Sequence, residues 1–279
     1  MTVAADTGSR RPAKPRPSLL VPVGLVAFVV ITWLSASDDF GIGLDPGELL
    51  DNIGRGVRIL WRDNPTNPGD RGLLNPNWEF MPRTLGPMTE TFQMAVIAAL
   101  IGCGVALPIS FLVSRVTTPG RIVFAIGRGV LSVVRAIPDI LYALLFVAAV
   151  GIGPLPGIAA LILFNIGVIA KLLSETVDGV DPGPIEAGRA VGATRSQTVR
   201  WGVVPQIMPN YIAYSLYVFE LNIRASTVLG IVGAGGIGRL LYAEYGLFRW
   251  SNVSVIIIEL FVFVFFIELV SIWLRRRLV

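Results

Sequence analysis

Histidine is absent from the 279 residues, and cysteine occurs once, as Cys103. The first absence removes the commonest general base and the commonest metal ligand. The second excludes an intramolecular disulfide and leaves a lone thiol in an apolar run, where it reads as a small packing residue. Charge is scarce as well: 15% of residues are Asp, Glu, Lys or Arg, against about 25% in soluble domains. No GxxxxGK[ST] phosphate loop occurs. What is plentiful is hydrocarbon, with 53% hydrophobic residues and a mean hydropathy of +0.69. Such a chain lives in lipid. It is poor ground for an enzyme and good ground for a conduit, and we expect no catalytic, metal or cofactor site of its own. The net charge of +4 does not point to nucleic acid, because the basic residues lie beside apolar segments, which is the orientation signal of membrane proteins.

The composition along the chain predicts an all-α integral membrane protein with six transmembrane helices. Residues 1–18 form a basic, Pro-containing tail (Arg10, Arg11, Lys14, Arg16) that reads as disordered and cytoplasmic. Residues 19–35 are a first anchor, and 36–87 a polar extracytoplasmic loop. A helix over 46–62, with Ile53, Val57 and Leu60 on one face, would be amphipathic and suited to a membrane surface. The remainder, 88–279, is the main transmembrane domain. Its spans are read at 88–114, about 130–150, about 158–173, about 203–223 and about 252–273. Six crossings put both termini on one side. The N-terminal tail, Arg115 to Arg128, the 174–202 loop and the terminal Arg275 to Arg277 then share that side, which the positive-inside rule makes cytoplasmic. A multi-pass membrane protein with both termini cytoplasmic follows. No internal repeat is visible, so inverted-repeat transporters gain no support.

The loop 174–202 cannot span, because Glu186, Arg189, Arg195 and Arg200 are too costly in hydrocarbon. Asp181-Pro182-Gly183-Pro184 supplies a turn and a helix start. Glu186 falls in the first turn, where a carboxylate suits the helix dipole. Gly192 permits a sharp bend, and Pro205 opens the next span. This arrangement resembles the Glu-Ala-Ala loop of ABC-importer permeases, with Glu186, Ala187, Gly192 and Pro205 at the motif positions. Gly188 stands where that motif has its second Ala, and Gly202 and Val204 where Ile and Leu are usual. The resemblance implies a short cytoplasmic helix that sits in a groove of an ATPase.

Charges also lie in or at the ends of apolar segments: Arg135, Asp139, Lys171, Glu175, Glu220, Arg224, Glu259 and Glu268. There they cost several kcal/mol unless paired or wetted. Three couples have helical i,i+4 spacing: Arg135–Asp139, Lys171–Glu175 and Glu220–Arg224. They read either as structural pairs or as the wall of a wet path, in which Arg135 and Arg224 would suit an oxyanion. Gly233-Ala-Gly235-Gly236-Ile-Gly238 satisfies G-x-G-x-x-G literally. A dinucleotide site needs a strand before it, and here the stretch joins two spans, so we expect a close-packed connection at the outer end of the pore.

From residue 88 onward the chain resembles permeases of the phosphonate ABC-importer family. The segments that carry this are ETFQMA (90–95), RAIPDILYALLFVAAVGIGPLPGIAAL (135–161), NIGVIAKLLSETVDGVD (165–181) and VPQIMPNYIAYSLYVFELNIRASTVLGIVGAGGIG (204–238). The resemblance implies the binding-protein-dependent ABC-importer permease fold, a second copy of the chain, two cytoplasmic ATP-binding subunits that hold ATP and Mg, and an extracytoplasmic solute-binding protein. It implies alternating-access import of a phosphonate or a related oxyanion such as phosphate or phosphite. Glu186, Ala187, Gly188, Gly192 and Pro205 would then serve ATPase coupling. Arg135, Asp139, Glu220, Asn222 and Arg224 would lie near the translocation path. Permeases of the methionine or glycine-betaine type share this plan, and a proton-coupled secondary transporter is a further alternative.

Overall fold

In lipid the pull between helices comes from close packing and hydrogen bonds, since hydrocarbon tails are as apolar as leucine. The chain answers with seams of small residues. We describe a computed structural model covering residues 20–36, 46–61 and 67–278. The tail read at 1–18 lies outside the described residues. Two units form, Met1–Gly56 and Val57–Val279. Of the first unit, the described part comprises α1 (Leu20–Ala36), apolar on every side with the side chains of 21–35 exposed, and the start of α2 (Pro46–Trp61).

The second unit contains helices and no strand among its described residues. After a 3-10 turn at Trp78–Phe80 come α3 (Met81–Val113), α4 (Arg121–Ala136), α5 (Asp139–Val150) and α6 (Pro154–Asp178). They are followed by α7 (Gly183–Ala190), α8 (Arg195–Thr198), a π-helical turn at Val199–Val203, α9 (Val204–Ile231), α10 (Gly236–Gly246) and α11 (Trp250–Leu278). Three stretches are long and apolar enough to cross a membrane: Trp78–Val113, Pro154–Asp178 and Trp250–Arg277. Two bent pairs, α4 with α5 and Arg195–Ile231 with α10, bring the number to five. The shorter α1 is the sixth apolar segment.

The core lies where α3, α6 and α9 meet. α3 buries Ala95, Ala98, Ala99, Gly102, Cys103 and Ala106. A Cβ added at Gly102 would stand 2.5 Å from the Cβ of Asn165 on α6, so the missing side chain sets the approach of the two helices. Asn165 Nδ2 donates to Ala98 O at 3.0 Å, and Asn222 Nδ2, from α9, donates to Ala95 O at 3.3 Å. α3 is thus held from both flanks by two buried asparagines on successive turns.

Two boundaries differ from the sequence reading. α3 begins at Met81, so the limit placed at 87/88 falls inside a helix that continues through Pro87. The third span, read over about 130–150, is two helices at 85°. Pro138 has no N–H to continue the ladder and forces Ile137 into an extended conformation, φ −88° and ψ 123°. The expected Arg135–Asp139 pair is lost with it, because the two residues no longer share a helical face. Asp139 Oδ1 instead accepts from the N–H of Ile140 at 2.9 Å.

Candidate functional site

The 174–202 loop folds into an elbow. Asp181 opens it, its Oδ1 accepting from Gly183 N at 2.9 Å, and Gln206 clamps the base by accepting from Asp181 N at 2.9 Å while donating to Gly202 O at 2.6 Å. α7 turns Ile185 inward, where it packs with Leu173, Val177, Val203 and Ile207. Its other sides present Glu186, Ala187 and Arg189 to solvent. At the tip Gly192 takes φ +79°. Ala193 N then donates to Gly188 O and Gly192 N to Arg189 O, each at 3.0 Å, which is a complete Schellman closure. Thr194 caps α8 in a reciprocal box with Gln197. The π turn lays Gly202 against the backbone of Pro184, where an added Cβ would be in ordinary contact at 3.4 Å. Pro205 stands in the first turn of α9. Val191 and Trp201 are left 83% and 72% exposed, an unusual display of apolar surface on a polar element.

Two glycines of this elbow should respond oppositely to alanine. A Cβ at Gly188 meets only ordinary contacts, the nearest Thr198 Oγ1 at 3.6 Å, so Gly188→Ala should stabilise by about 0.5–1 kcal/mol through helix propensity. Gly192→Ala must hold a side chain at positive φ and should destabilise by about 1–2 kcal/mol. Thermal unfolding of the purified protein compares the two.

The elbow is tied to the spans by charges. The Arg195 guanidinium donates to the carbonyls of Thr117, at 2.7 Å, and Thr118. Asp178, at the end of α6, accepts from Arg128 Nη2 at 2.8 Å, Ser114 Oγ at 2.7 Å and Arg115 N at 2.6 Å. A cleft of about 400 Å³ separates the α3–α4 connection from α7 and α8, with Arg189, Arg195, Thr117 and Thr198 on its walls. A push on α7 therefore reaches α6 through Ile185, α9 through Gln206, and the α3–α4 connection through Arg195.

Inside the spans, two of the three expected pairs form. Lys171 meets Glu175 at 2.7 Å, and Glu220 meets Arg224. Glu220 is also approached by Arg275 of α11 at 3.7 Å. Glu220 is only 13% exposed at its side chain and Arg224 49%, so Arg224 is the member that faces outward. Asn222 lies within the helix packing instead, fully buried at the α3 seam. Arg135 is exposed on α4 and stands apart from Asp139. Both carboxylate oxygens of Glu259 are buried without a hydrogen-bond partner among the described residues.

The glycine run makes the α9–α10 corner. Gly233, Gly235 and Gly236 all have positive φ. The N–H groups of Gly236 and Ile237 are taken by Glu90 Oε1 at 3.1 Å and Thr91 Oγ1 at 2.8 Å. The helix end that a nucleotide phosphate would need is thus already filled by α3, which removes the dinucleotide reading.

Residues 106–279 match the family model described as the binding-protein-dependent transport system inner membrane component. The chain belongs to this family. The family makes the chain a multi-pass transport permease of the inner membrane. Among curated relatives, the chain is 42% identical over 190 residues to the phosphate-import permease protein PhnE of Mycolicibacterium smegmatis, covering 68% of this chain and 36% of that one. The chain thus spans about a third of that relative's length. It is 36% identical over 191 residues to the phosphite transport system permease protein PtxC of Stutzerimonas stutzeri, covering 68% of this chain and 70% of that one. Among solved structures, the MetNI methionine ABC transporter in an inward-facing conformation matches with a TM-score of 0.64 at 24% identity, over 73% of this chain and 99% of that chain. This last likeness establishes the permease fold.

Proposed function

We propose that this chain is the channel-forming subunit of an ATP-driven importer that moves a phosphonate or a related oxyanion, phosphate or phosphite, into the cytoplasm by alternating access. One observation carries the reading: an exposed elbow, α7 with α8, rests on the buried Ile185, on a bond from Asp181 at its base to α9, and on a bond from Arg195 at the start of α8 to the α3–α4 connection. That is the geometry of a lever. Its partners would be a second copy of the chain, two cytoplasmic ATP-binding subunits holding ATP and Mg, and an extracytoplasmic binding protein. Both termini would face the cytoplasm.

The physical sequence is short. ATP closes the two partner subunits and draws together the α7 elbows of the two copies of the chain. Ile185, Gln206 and Arg195 carry the displacement into α6, α9 and α3, and the cavity opens outward. A loaded binding protein releases its anion there, and hydrolysis resets the elbows. Glu186, Ala187, Gly188 and the exposed Val191 and Trp201 would form the ATPase contact. Arg224 would be the first anion contact, because a guanidinium has five N–H donors and Glu220 occupies only part of that fork. Arg135 would add a second cation. Gly233, Gly235, Gly236 and Gly238 would keep the outer corner rigid. The oxyanion cargo is supported by the relatives named for phosphate and phosphite.

Uptake of labelled phosphate, phosphite and methylphosphonate tests this in cells with and without the chain. Uptake should need ATP and survive collapse of the proton gradient. Arg224→Ala should reduce it at least tenfold if one charge-assisted contact of about 1.5–3 kcal/mol is lost. Transport that follows the proton gradient and proceeds without an ATPase subunit would contradict the proposal.

A further inference from the structure

α2 is too short to cross a bilayer, about 24 Å at 1.5 Å per residue, and its Asn52 and Arg55 are polar. It nevertheless exposes Leu50, Ile53, Val57, Leu60 and Trp61. At 3.6 residues per turn these five fall in one stripe along the helix. The last turn of α2 is bonded to the rest of the second unit. Ile59, opposite the stripe, is partly buried. Leu73 N and Leu74 N donate to Ile59 O and Leu60 O, each at 2.9 Å, and Asn75 Nδ2 reaches Trp61 O at 3.5 Å. The segment that makes these bonds is itself fixed to the first turn of α11. Asp70 accepts from Trp250 N at 2.7 Å, from Ser251 N at 3.1 Å and from the Ser251 hydroxyl. Asn77 N donates to Ser251 O at 3.1 Å, and Asn77 Nδ2 to Asn252 Oδ1 at 3.0 Å. The end of α2 is therefore held at the level where the two longest spans begin.

We infer that α2 lies flat in the lipid interface at that level, with its apolar stripe among the acyl chains and its polar side turned to the headgroups and water. Lipid is the occupant because the strap bonded to the end of α2 runs directly into the first residues of the α3 span. Trp78, Met81 and Leu85, at the start of the α3 span, are exposed and apolar. Trp61 and Trp78 sit where aromatic side chains mark membrane boundaries. A basic residue off the apolar stripe, Arg55, suits a headgroup layer. The strap then makes α2 more than an anchor. It links the height of the interface to the α10–α11 corner, so this end of α11 keeps its depth as the spans move.

The test uses the full-length chain in vesicles of phosphatidylethanolamine and phosphatidylglycerol. Cys103→Ser frees the sequence of thiols, and single cysteines at 52, 53, 55, 57, 59 and 60 carry a nitroxide. Labels at Ile53→Cys, Val57→Cys and Leu60→Cys should be reached by oxygen and shielded from a water-soluble nickel chelate. Those at Asn52→Cys and Arg55→Cys should show the reverse, and Ile59→Cys should be the least accessible to both. Accessibility without helical period would overturn the inference, as would a stripe reached by nickel. A stripe shielded from both reagents would overturn it too, since that means a protein covers it.

Discussion

Glu186→Lys is expected to abolish ATP-driven uptake while leaving the chain inserted and folded. The side chain of Glu186 is exposed and makes no hydrogen bond or ion pair with another described residue, while its backbone N–H donates to Pro182 O at 2.9 Å. Its internal contribution is the interaction of a first-turn carboxylate with the helix dipole, about 0.3–1 kcal/mol. Reversing the charge therefore costs the elbow too little to unfold it. A charge buried against a partner is different: breaking such a pair costs about 2–5 kcal/mol, and reversal adds repulsion. At about 1.4 kcal/mol per decade, docking weakens by tens to thousands of fold. Uptake and co-purification of the ATP-binding subunit should fall together, with membrane levels unchanged. Normal uptake would remove Glu186 from the coupling surface.

Gly238→Ala should have a comparable effect by another route. A Cβ at this position would stand 1.8 Å from Thr227 O and 2.7 Å from Thr227 C. The obstacle is backbone, so no rotamer change relieves it. From the other side, a Cβ at Gly230 would meet Arg239 N at 2.6 Å. α9 and α10 are in backbone contact on both sides of the corner, and the cap from Glu90 and Thr91 holds α10 in place. Overpacking typically costs about 1–3 kcal/mol, and this site belongs at or above the top of that range. The expected result is loss of the monodisperse protein on detergent extraction, or a lower Tm. Gly104→Ala on α3 is the control. Nothing lies within 4 Å of its added Cβ, so helix propensity should leave it neutral or slightly stabilising. Equal behaviour of the two variants would contradict the close-contact account of the corner.

The elbow was legible in the sequence because its turns are made by residues with strong backbone preferences. Asp181-Pro182-Gly183 opens it, Gly192 reverses it at positive φ, and Pro205 starts α9. The break at Pro138 was half legible: proline marks the interruption, yet nothing local sets an angle of 85°, which depends on what α4 and α5 pack against. Spacing alone misplaced Arg135 and Asp139, since i,i+4 has meaning only within one unbroken helix. The contacts that bind the site together were hidden for a different reason. Asp178 and its partners Arg128, Ser114 and Arg115 are 50 to 64 residues apart. Glu90 and the α10 terminus it caps are 146 apart. Asn165 and Asn222 sit in apolar runs with no local sign of the α3 carbonyls they bond. Pairings of that range are decided by topology. The resemblance at ETFQMA marked the stretch that holds Glu90 without revealing what that carboxylate does.

The central claim is that the elbow faces the compartment where ATP is. Ala187→Cys in a Cys103→Ser background places one thiol on the exposed side of α7. A membrane-impermeant maleimide should label it only after cells are permeabilised, and addition of the ATP-binding subunit to open membranes should then protect it. Labelling from outside intact cells would contradict the account.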